Sequence, residues 1–131
     1  MVQVIFYEKP GCINNAKQKA LLWKAGHEVI SHNLLKTPWT GQKLRPFFGD
    51  RPVTEWFNQT APAVKSGEVI PEQTSPETAL ALMVANPLLI RRPLLQVGHN
   101  YQVGFDYATI DAWINLKSDN PLEDLETCPR S

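Results

Sequence analysis

The first 34 residues constrain the fold of this chain more than any other segment. Val2 to Tyr7 is a β-branched and aromatic run that ends before Pro10-Gly11, and such a run is typical of a buried strand. A helix begins at or just before Cys12 and stops at Gly26, and Glu28 to Leu34 has the composition of a second strand. Because a strand–helix–strand unit normally has parallel strands, the sequence predicts a βαβ start.

An apolar stripe runs along the predicted first helix. Ile13, Ala16, Ala20 and Trp23 recur at helical spacing, and the three lysines of the same segment lie off that stripe. This spacing predicts a helix. We also predict that the four tryptophans of the chain lie in the core or at its edge: Trp23, Trp39, Trp56 and Trp113.

The middle of the chain is predicted to hold short, interrupted helices. Thr40 can cap a helix that Pro46 must kink or divide, and Pro52 can open another short helix. A loop rich in Pro, Gly and Ser is predicted from Ala61 to Pro71. Ser75, followed by a proline, is a suitable N-cap for a longer helix.

The last predicted elements are a hairpin and a helix. Leu94 to Val97 and Tyr101 to Gly104 flank Gly98-His99-Asn100, which is typical of a hairpin turn. Asp106 then caps a helix that turns Ile110, Trp113 and Ile114 inward. This order fits an α/β fold with a four-stranded mixed sheet, flanking helices and a helical insertion between residues 36 and 90. That is the thioredoxin-like layout.

Length and charge predict one globular domain without a basic surface for nucleic acid. The chain has 131 residues, and its 13 basic and 13 acidic residues give a net charge of zero. We predict a domain over residues 1–117 and a flexible acidic tail over residues 118–131. Since no apolar run approaches the ~20 residues of a membrane span, no membrane partner is expected.

The cysteines and histidines indicate reduced thiols and no metal site. Two cysteines are too few for a disulfide scaffold, and the N-terminus lacks the pattern of a signal peptide. We therefore expect a cytoplasmic monomer with no bound cofactor. The cysteines and the three histidines match no metal-ligand spacing, and each histidine is expected on the surface or in a loop: His27, His32 and His99.

Cys12 is the candidate reactive group of the chain. A cysteine at a strand-to-helix junction lies where free backbone N–H groups and the helix dipole stabilise a thiolate. The alternative is that Cys12 is only a small residue in a turn. Asn15 occupies the position of the second cysteine in a C-x-x-C motif, so disulfide chemistry must use an external thiol or the distant Cys128. The acidic composition and sequence distance of the tail argue against Cys128 as a dedicated resolving thiol.

Two segments at the correct separation resemble the ArsC/Spx family. Tyr7 to Lys19 (YEKPGCINNAKQK) resembles its cysteine loop, and Asn86 to Leu95 (NPLLIRRPLL) resembles the segment in which an arginine precedes a proline before the third strand. The resemblance spans roughly residues 2–117. Three further segments are similar to the nitrogenase-associated branch of that family: Leu44 to Gly49 (LRPFFG), Pro52 to Asn58 (PVTEWFN) and Val103 to Asp106 (VGFD).

The resemblance implies a catalytic cysteine and an arginine beside it. In arsenate reductases of this family the cysteine attacks arsenate, glutathione resolves the adduct and three arginines hold the oxyanion. The cysteine falls on Cys12 and one arginine on Arg92, but the other two positions hold Asn58 and Phe105. Since Asn and Phe lack the charge and paired donors of arginine, we expect weak or no arsenate reduction.

The resemblance also assigns binding residues around Cys12 and leaves two classes of function open. The binding residues are Gly11, Asn15, Asn58, Arg91 and Pro93, and the resemblance implies a cis peptide bond at Pro93. The first function is a thiol oxidoreductase in which Cys12 forms a mixed disulfide with glutathione, as co-substrate, or with a similar thiol. The second is a non-catalytic adaptor that binds a protein partner, as Spx-type relatives do. The expected partners are thus a small thiol, an oxyanion or a protein.

Overall fold

The computed structural model describes residues 2–116, which form one four-stranded mixed sheet. The strands are β1 (Gln3–Glu8), β2 (Glu28–Asn33), β3 (Leu94–Val97) and β4 (Asn100–Val103), in the order β2-β1-β3-β4. β1 pairs parallel with β2 and antiparallel with β3, and β3 pairs antiparallel with β4. The predicted βαβ start and the predicted hairpin are both confirmed.

Helices cover both faces of this sheet. Their bounds are α1 (Ile13–Lys24), α2 (Gly41–Leu44), α3 (Pro62–Lys65), α4 (Pro76–Ala85) and α5 (Tyr107–Ile114). Pro46 divides the second helix as predicted, because a 3₁₀ segment follows α2 directly. The predicted loop from Ala61 to Pro71 is partly wrong, since α3 forms within it: Pro62 takes the first helical position, where a missing N–H is not needed.

Alternating side chains of β1 divide the core into two clusters. Val4 and Phe6 point to the face that α1 and α5 cover, where they pack with Leu22 and Ile110. Tyr7, on the opposite face, packs into the larger cluster that the insertion between β2 and β3 supplies. The predicted tail over 118–131 lies outside the described residues.

The prediction that Trp23 lies in the core or at its edge is wrong. Ile13 is 49% and Trp23 is 57% exposed, whereas Leu21, Leu22 and the polar Asn15 are buried. The apolar stripe therefore faces solvent. Of the other tryptophans, Trp39 and Trp56 are buried and Trp113 packs against the α1–α5 cluster, as predicted.

His27 lies in the loop between α1 and β2, which the prediction of a surface or loop position allowed, but it is buried and hydrogen-bonded. The ring is 4% exposed, its Nδ1 accepts a hydrogen bond from the backbone N–H of Val2, and its Nε2 lies 2.7 Å from the carbonyl oxygen of Asn115. Since a carbonyl oxygen only accepts, the ring proton is on Nε2. His27 thus joins the start of β1 to the residue that follows α5.

Candidate thiol site at the N-terminus of the first helix

Cys12 is the N-cap residue of α1. Its backbone is extended (φ −77°, ψ 118°), and its carbonyl oxygen accepts the first helical hydrogen bond, from the N–H of Ala16 at 3.1 Å. The side chain makes no capping hydrogen bond, and it is half-buried and free of any disulfide. The sulfur therefore lies at the positive end of the helix dipole, beside N–H groups of the first turn that have no partner within the helix.

The loop before Cys12 is held by a buried amide. Asn15 is 1% exposed; its Oδ1 accepts a hydrogen bond from the N–H of Lys9, and its Nδ2 donates one to Gln18. Gly11 has φ +83°, a conformation that favours glycine. Asn15 thus positions the cysteine loop, and Gly11 allows its turn.

Two open cavities adjoin Cys12. One, of about 340 Å³, is lined by Lys9, Pro10, Gly11, Cys12, Ile13, Asn14 and Arg92. The other, of about 320 Å³, is lined by Cys12, Asn14, Asn15, Gln18, Phe57, Asn58, Gln59, Thr60, Arg91 and Arg92. Among the described residues that line them, three are cations and none is a carboxylate. Both cavities can therefore accept a negatively charged group.

Arg92 lines both cavities together with Cys12. No other residue between 2 and 116 forms a hydrogen bond or ion pair with its guanidinium, which leaves five donors for a ligand. The peptide bond between Arg92 and Pro93 is cis, as the resemblance implied. Pro93 itself is buried, and its carbonyl oxygen accepts a hydrogen bond from Gly104.

Arg91 also lines the second cavity, and its side chain lies against Glu55 and Gly104. Its Nη1 donates a hydrogen bond to the carbonyl oxygen of Glu55, and its guanidinium passes close to the backbone of Gly104. A Cβ atom at Gly104 would lie 2.7 Å from Arg91 Cζ, and Gly104 has φ +76°. Only glycine permits this approach.

The two positions where arsenate reductases carry arginine do not supply charge here. Asn58 lines the second cavity, but its Oδ1 accepts hydrogen bonds from Thr60 and its Nδ2 donates one to the carbonyl of Leu88. Phe105 packs against the α1–α5 cluster and lines neither cavity. Asn58 therefore adds a neutral amide, and Phe105 contributes to the core.

The structure adds residues that sequence reasoning missed. Lys9 lies in the first cavity, and its place beside the Pro-Gly-Cys loop was a usable signal. Gln18, Gln59 and Thr60 line the second cavity; the last two come from a segment far from Cys12 in sequence, so no local pattern identifies them. No cluster of three or more His, Cys, Asp or Glu side chains in residues 2–116 is arranged to hold a metal ion. No helix in this range is long and apolar enough to span a membrane.

These features define a thioredoxin-like protein with one helix-capping cysteine, and comparisons with known proteins give its family. The ArsC family model matches residues 7–113. An uncharacterized 15.7 kDa protein in the draG 3′ region of Rhodospirillum rubrum is 54% identical over 98% of this chain and 90% of the relative. The chain belongs to the ArsC family.

More distant relatives share the fold. The global transcriptional regulator Spx of Streptococcus pyogenes serotype M3 (strain SSI-1) is 25% identical over 86% of this chain and 85% of its own. An ArsC family related protein from Bacteroides fragilis superposes with a TM-score of 0.74 at 24% identity, over 88% of this chain and 99% of that chain. Arsenate reductase from Vibrio cholerae gives a TM-score of 0.70 at 20% identity, over 88% of this chain and 98% of that chain. At these identities the structural match establishes the thioredoxin-like fold alone.

Proposed function

We propose that this protein is a thiol oxidoreductase in which Cys12 forms a mixed disulfide with glutathione or another small anionic thiol. The observation that supports this most strongly is the charge around the sulfur. Cys12 lies between two cavities whose described lining includes Lys9, Arg91 and Arg92 and no carboxylate. Glutathione carries two carboxylates, so charge-assisted hydrogen bonds to these cations favour its binding.

The reaction is a thiol–disulfide exchange at Cys12. The Cys12 thiolate attacks one sulfur of glutathione disulfide; a Cys12–glutathione S–S bond forms, the original S–S bond breaks, and one glutathione leaves as a thiolate. Arg92 stabilises the attacking thiolate and pairs with a glutathione carboxylate. The amides of Asn14 and Asn58 offer neutral hydrogen bonds to the peptide part of the ligand.

Arsenate is a poor substrate for this site. A dianionic tetrahedral oxyanion in a partly desolvated pocket needs charge compensation, and each charge-assisted hydrogen bond contributes about 1.5–3 kcal/mol. Replacing two of three arginines by Asn58 and Phe105 therefore weakens oxyanion binding by about two to four decades in affinity. We propose weak or no arsenate reduction.

The second candidate is a non-catalytic adaptor that binds a protein. The loss of two oxyanion arginines favours it, as does the similarity to the regulator Spx. A role linked to nitrogenase, as in the nitrogenase-associated branch, is supported by the 54% identity to the Rhodospirillum rubrum protein of the draG 3′ region. The adaptor needs no reactive thiol, so the state of Cys12 separates the two candidates.

The test combines two assays on wild type and Cys12→Ser. The proteins are incubated with glutathione disulfide and measured by mass spectrometry without reductant. Wild type is expected to form a glutathione adduct or a protein disulfide, and Cys12→Ser is expected to form neither. A glutathione-coupled arsenate reductase assay is expected to show little turnover, and turnover restored in an Asn58→Arg, Phe105→Arg double variant supports the oxyanion argument. Wild-type protein that remains fully reduced in glutathione disulfide favours the adaptor. Robust arsenate turnover that is lost in Cys12→Ser contradicts the proposal.

A further inference from the structure

The solvent face of α1 carries a continuous apolar stripe. Ile13, Ala16, Ala20 and Trp23 are spaced i, i+3, i+7 and i+10, so they share one side of the helix. Ile13 and Trp23 are two of the five large apolar side chains that are exposed in residues 2–116. The stripe starts one residue after Cys12. Tryptophan is among the residue types that contribute most to protein interfaces, so this face is suited to bind another segment.

Positive charge flanks the stripe. α1 contains Lys17, Lys19 and Lys24 and no acidic residue. The charge of Lys19 is already paired with Glu8 at 2.8 Å. Lys17 lies four residues after Ile13 and Lys24 four residues after Ala20, which makes them surface neighbours of the stripe. An occupant of this face should therefore be both apolar and acidic.

The described chain ends beside the C-terminal end of α1. The His27 ring, three residues after α1, lies 2.7 Å from the carbonyl oxygen of Asn115. Leu116 is buried in the same cluster as Leu22 of α1. Residue 117 therefore starts near the Trp23 end of the stripe, and Cys12 lies at the opposite end.

Residues 117–131 have the composition that this face requires. They contain Asp119, Glu123, Asp124 and Glu126, the apolar Leu122 and Leu125, and Cys128. The 12 residues that follow Leu116, up to and including Cys128, can span about 40 Å when extended. α1 has 12 residues and is about 18 Å long. The segment is therefore long enough to run back along α1 and bring Cys128 to Cys12.

We propose that residues 117–131 dock on the Ile13–Ala16–Ala20–Trp23 face of α1 and that Cys128 resolves the mixed disulfide at Cys12. The proposal rests on the proposed function, since it uses a glutathione adduct at Cys12. The Cys128 thiolate attacks Cys12 Sγ, a Cys12–Cys128 bond forms, the bond to glutathione breaks, and glutathione leaves as a thiolate that takes up the proton lost by Cys128. Starting from glutathione disulfide, two protein thiols are oxidised and the disulfide is reduced to two glutathione molecules. The position of Asn115 removes the sequence-distance argument against Cys128.

The experiment follows the Cys12 adduct in the full chain after addition of glutathione disulfide, with acid quenching and mass spectrometry. Wild type is expected to pass from the adduct to an intramolecular Cys12–Cys128 disulfide, whereas Cys128→Ser accumulates the adduct. Trp23→Ala is expected to lower the effective concentration of Cys128 at Cys12 about tenfold. Lys17→Glu lowers it about threefold. The matched controls, Ile70→Ala and Lys65→Glu, change exposed residues on other elements and should stay within twofold.

The possible failures are distinguishable. If Cys128→Ser forms the adduct and wild type keeps it as the final product, docking is wrong and the proposed function stands. If Cys128→Ser takes up no glutathione, the proposed function is wrong, and oxidation by diamide then tests docking without glutathione. An intramolecular Cys12–Cys128 disulfide that forms rapidly in wild type and more slowly in Trp23→Ala supports docking. Equal rates of disulfide formation in Trp23→Ala and Ile70→Ala overturn docking. A concentration-dependent disulfide dimer also overturns it.

Discussion

The reactivity of Cys12 depends on which neighbouring charges are already paired. Glu8, the nearest carboxylate along the chain, is bound to Lys19 at 2.8 Å and is largely buried with it. Arg92 has no hydrogen-bond or ion-pair partner among residues 2–116 and lines both cavities beside Cys12. The helix N-terminus adds a further positive potential. The unpaired charges that line the cavities beside the sulfur are therefore positive.

We predict that iodoacetamide alkylates Cys12 faster than Cys128 near neutral pH, because only the thiolate is the nucleophile. Arg92→Ala should slow the alkylation of Cys12 several-fold, and Arg92→Lys, which keeps the charge, should slow it less. Peptide mass spectrometry of a time course measures both sites in one sample. Equal rates for the two cysteines, or no effect of Arg92→Ala, would show that the site does not activate the thiol.

At the level of elements, the cap of α5 links stability to pH. The Asp106 carboxylate accepts one hydrogen bond from the side-chain hydroxyl of Thr109 and one from its backbone N–H. The bond from the hydroxyl has the larger effect, and the two bonds hold the pKa of Asp106 below its ordinary value. Slight desolvation opposes them, and the charges of Arg51 and Arg91 add to them. A lowered folded-state pKa means that the stabilisation is present above the unfolded-state pKa and is lost as pH falls through the folded-state value.

We therefore predict that wild type loses stability below about pH 4 in part through this cap. Asp106→Asn keeps a capping oxygen without the titration, so its free energy of unfolding should fall less steeply in acid than that of wild type. Urea unfolding at a series of pH values measures the difference. Parallel pH curves for the two proteins would contradict the assignment.

His27 joins two elements that are far apart in sequence. His27→Ala removes a buried ring and its hydrogen bonds to Val2 and Asn115, and two bonds of about 0.5–1.5 kcal/mol each amount to about 1–3 kcal/mol. We predict a loss of free energy of unfolding in that range. His99→Ala, in the exposed hairpin turn, should change it by less than about 0.5 kcal/mol. Denaturant unfolding that gives the same value for both variants would contradict the link.

Local signals in the sequence predict the caps and turns of this fold correctly. Thr40, Ser75 and Asp106 each accept the expected capping hydrogen bond, from Lys43, Thr78 and Thr109 respectively. Such bonds form within four residues, so they depend little on the rest of the chain. The turn between β3 and β4 lies where the sequence predicts it, but it has two residues, because Asn100 pairs with Val97 as the first residue of β4.

Features that depend on distant contacts are not predictable in this way. Periodicity identifies an apolar face on α1 but does not show whether that face meets the core or solvent. The buried side of α1 instead includes Asn15, whose side chain holds the cysteine loop. The partner of His27 lies 88 residues away. The cavity residues Gln59 and Thr60 reach Cys12 only because the chain folds back to the sheet. The sequence assigns Cys12 by its place at the helix N-terminus and Arg92 by resemblance, and both line the same two cavities.

For the whole molecule, residues 2–116 supply two apolar clusters, one on each face of the sheet. Leu116 is the last described residue that contributes a buried side chain to them. We predict that truncation after Lys117 leaves the fold intact and lowers the free energy of unfolding by about 1–2 kcal/mol, the size of the proposed docking contribution. Thermal and urea unfolding of the truncated and full chains measure this. A large drop in melting temperature would show that the domain needs the segment.

The central claim is that cation-lined cavities select an anionic thiol for Cys12. The most direct measurement compares the rates at which Cys12, in a Cys128→Ser background, reacts with glutathione disulfide and with the cationic disulfide cystamine, each relative to free cysteine. The charges of Lys9, Arg91 and Arg92 predict a preference for glutathione disulfide of about tenfold at low salt, which shrinks in Arg92→Ala and at high ionic strength. Equal relative rates, or faster reaction with cystamine, would contradict the account.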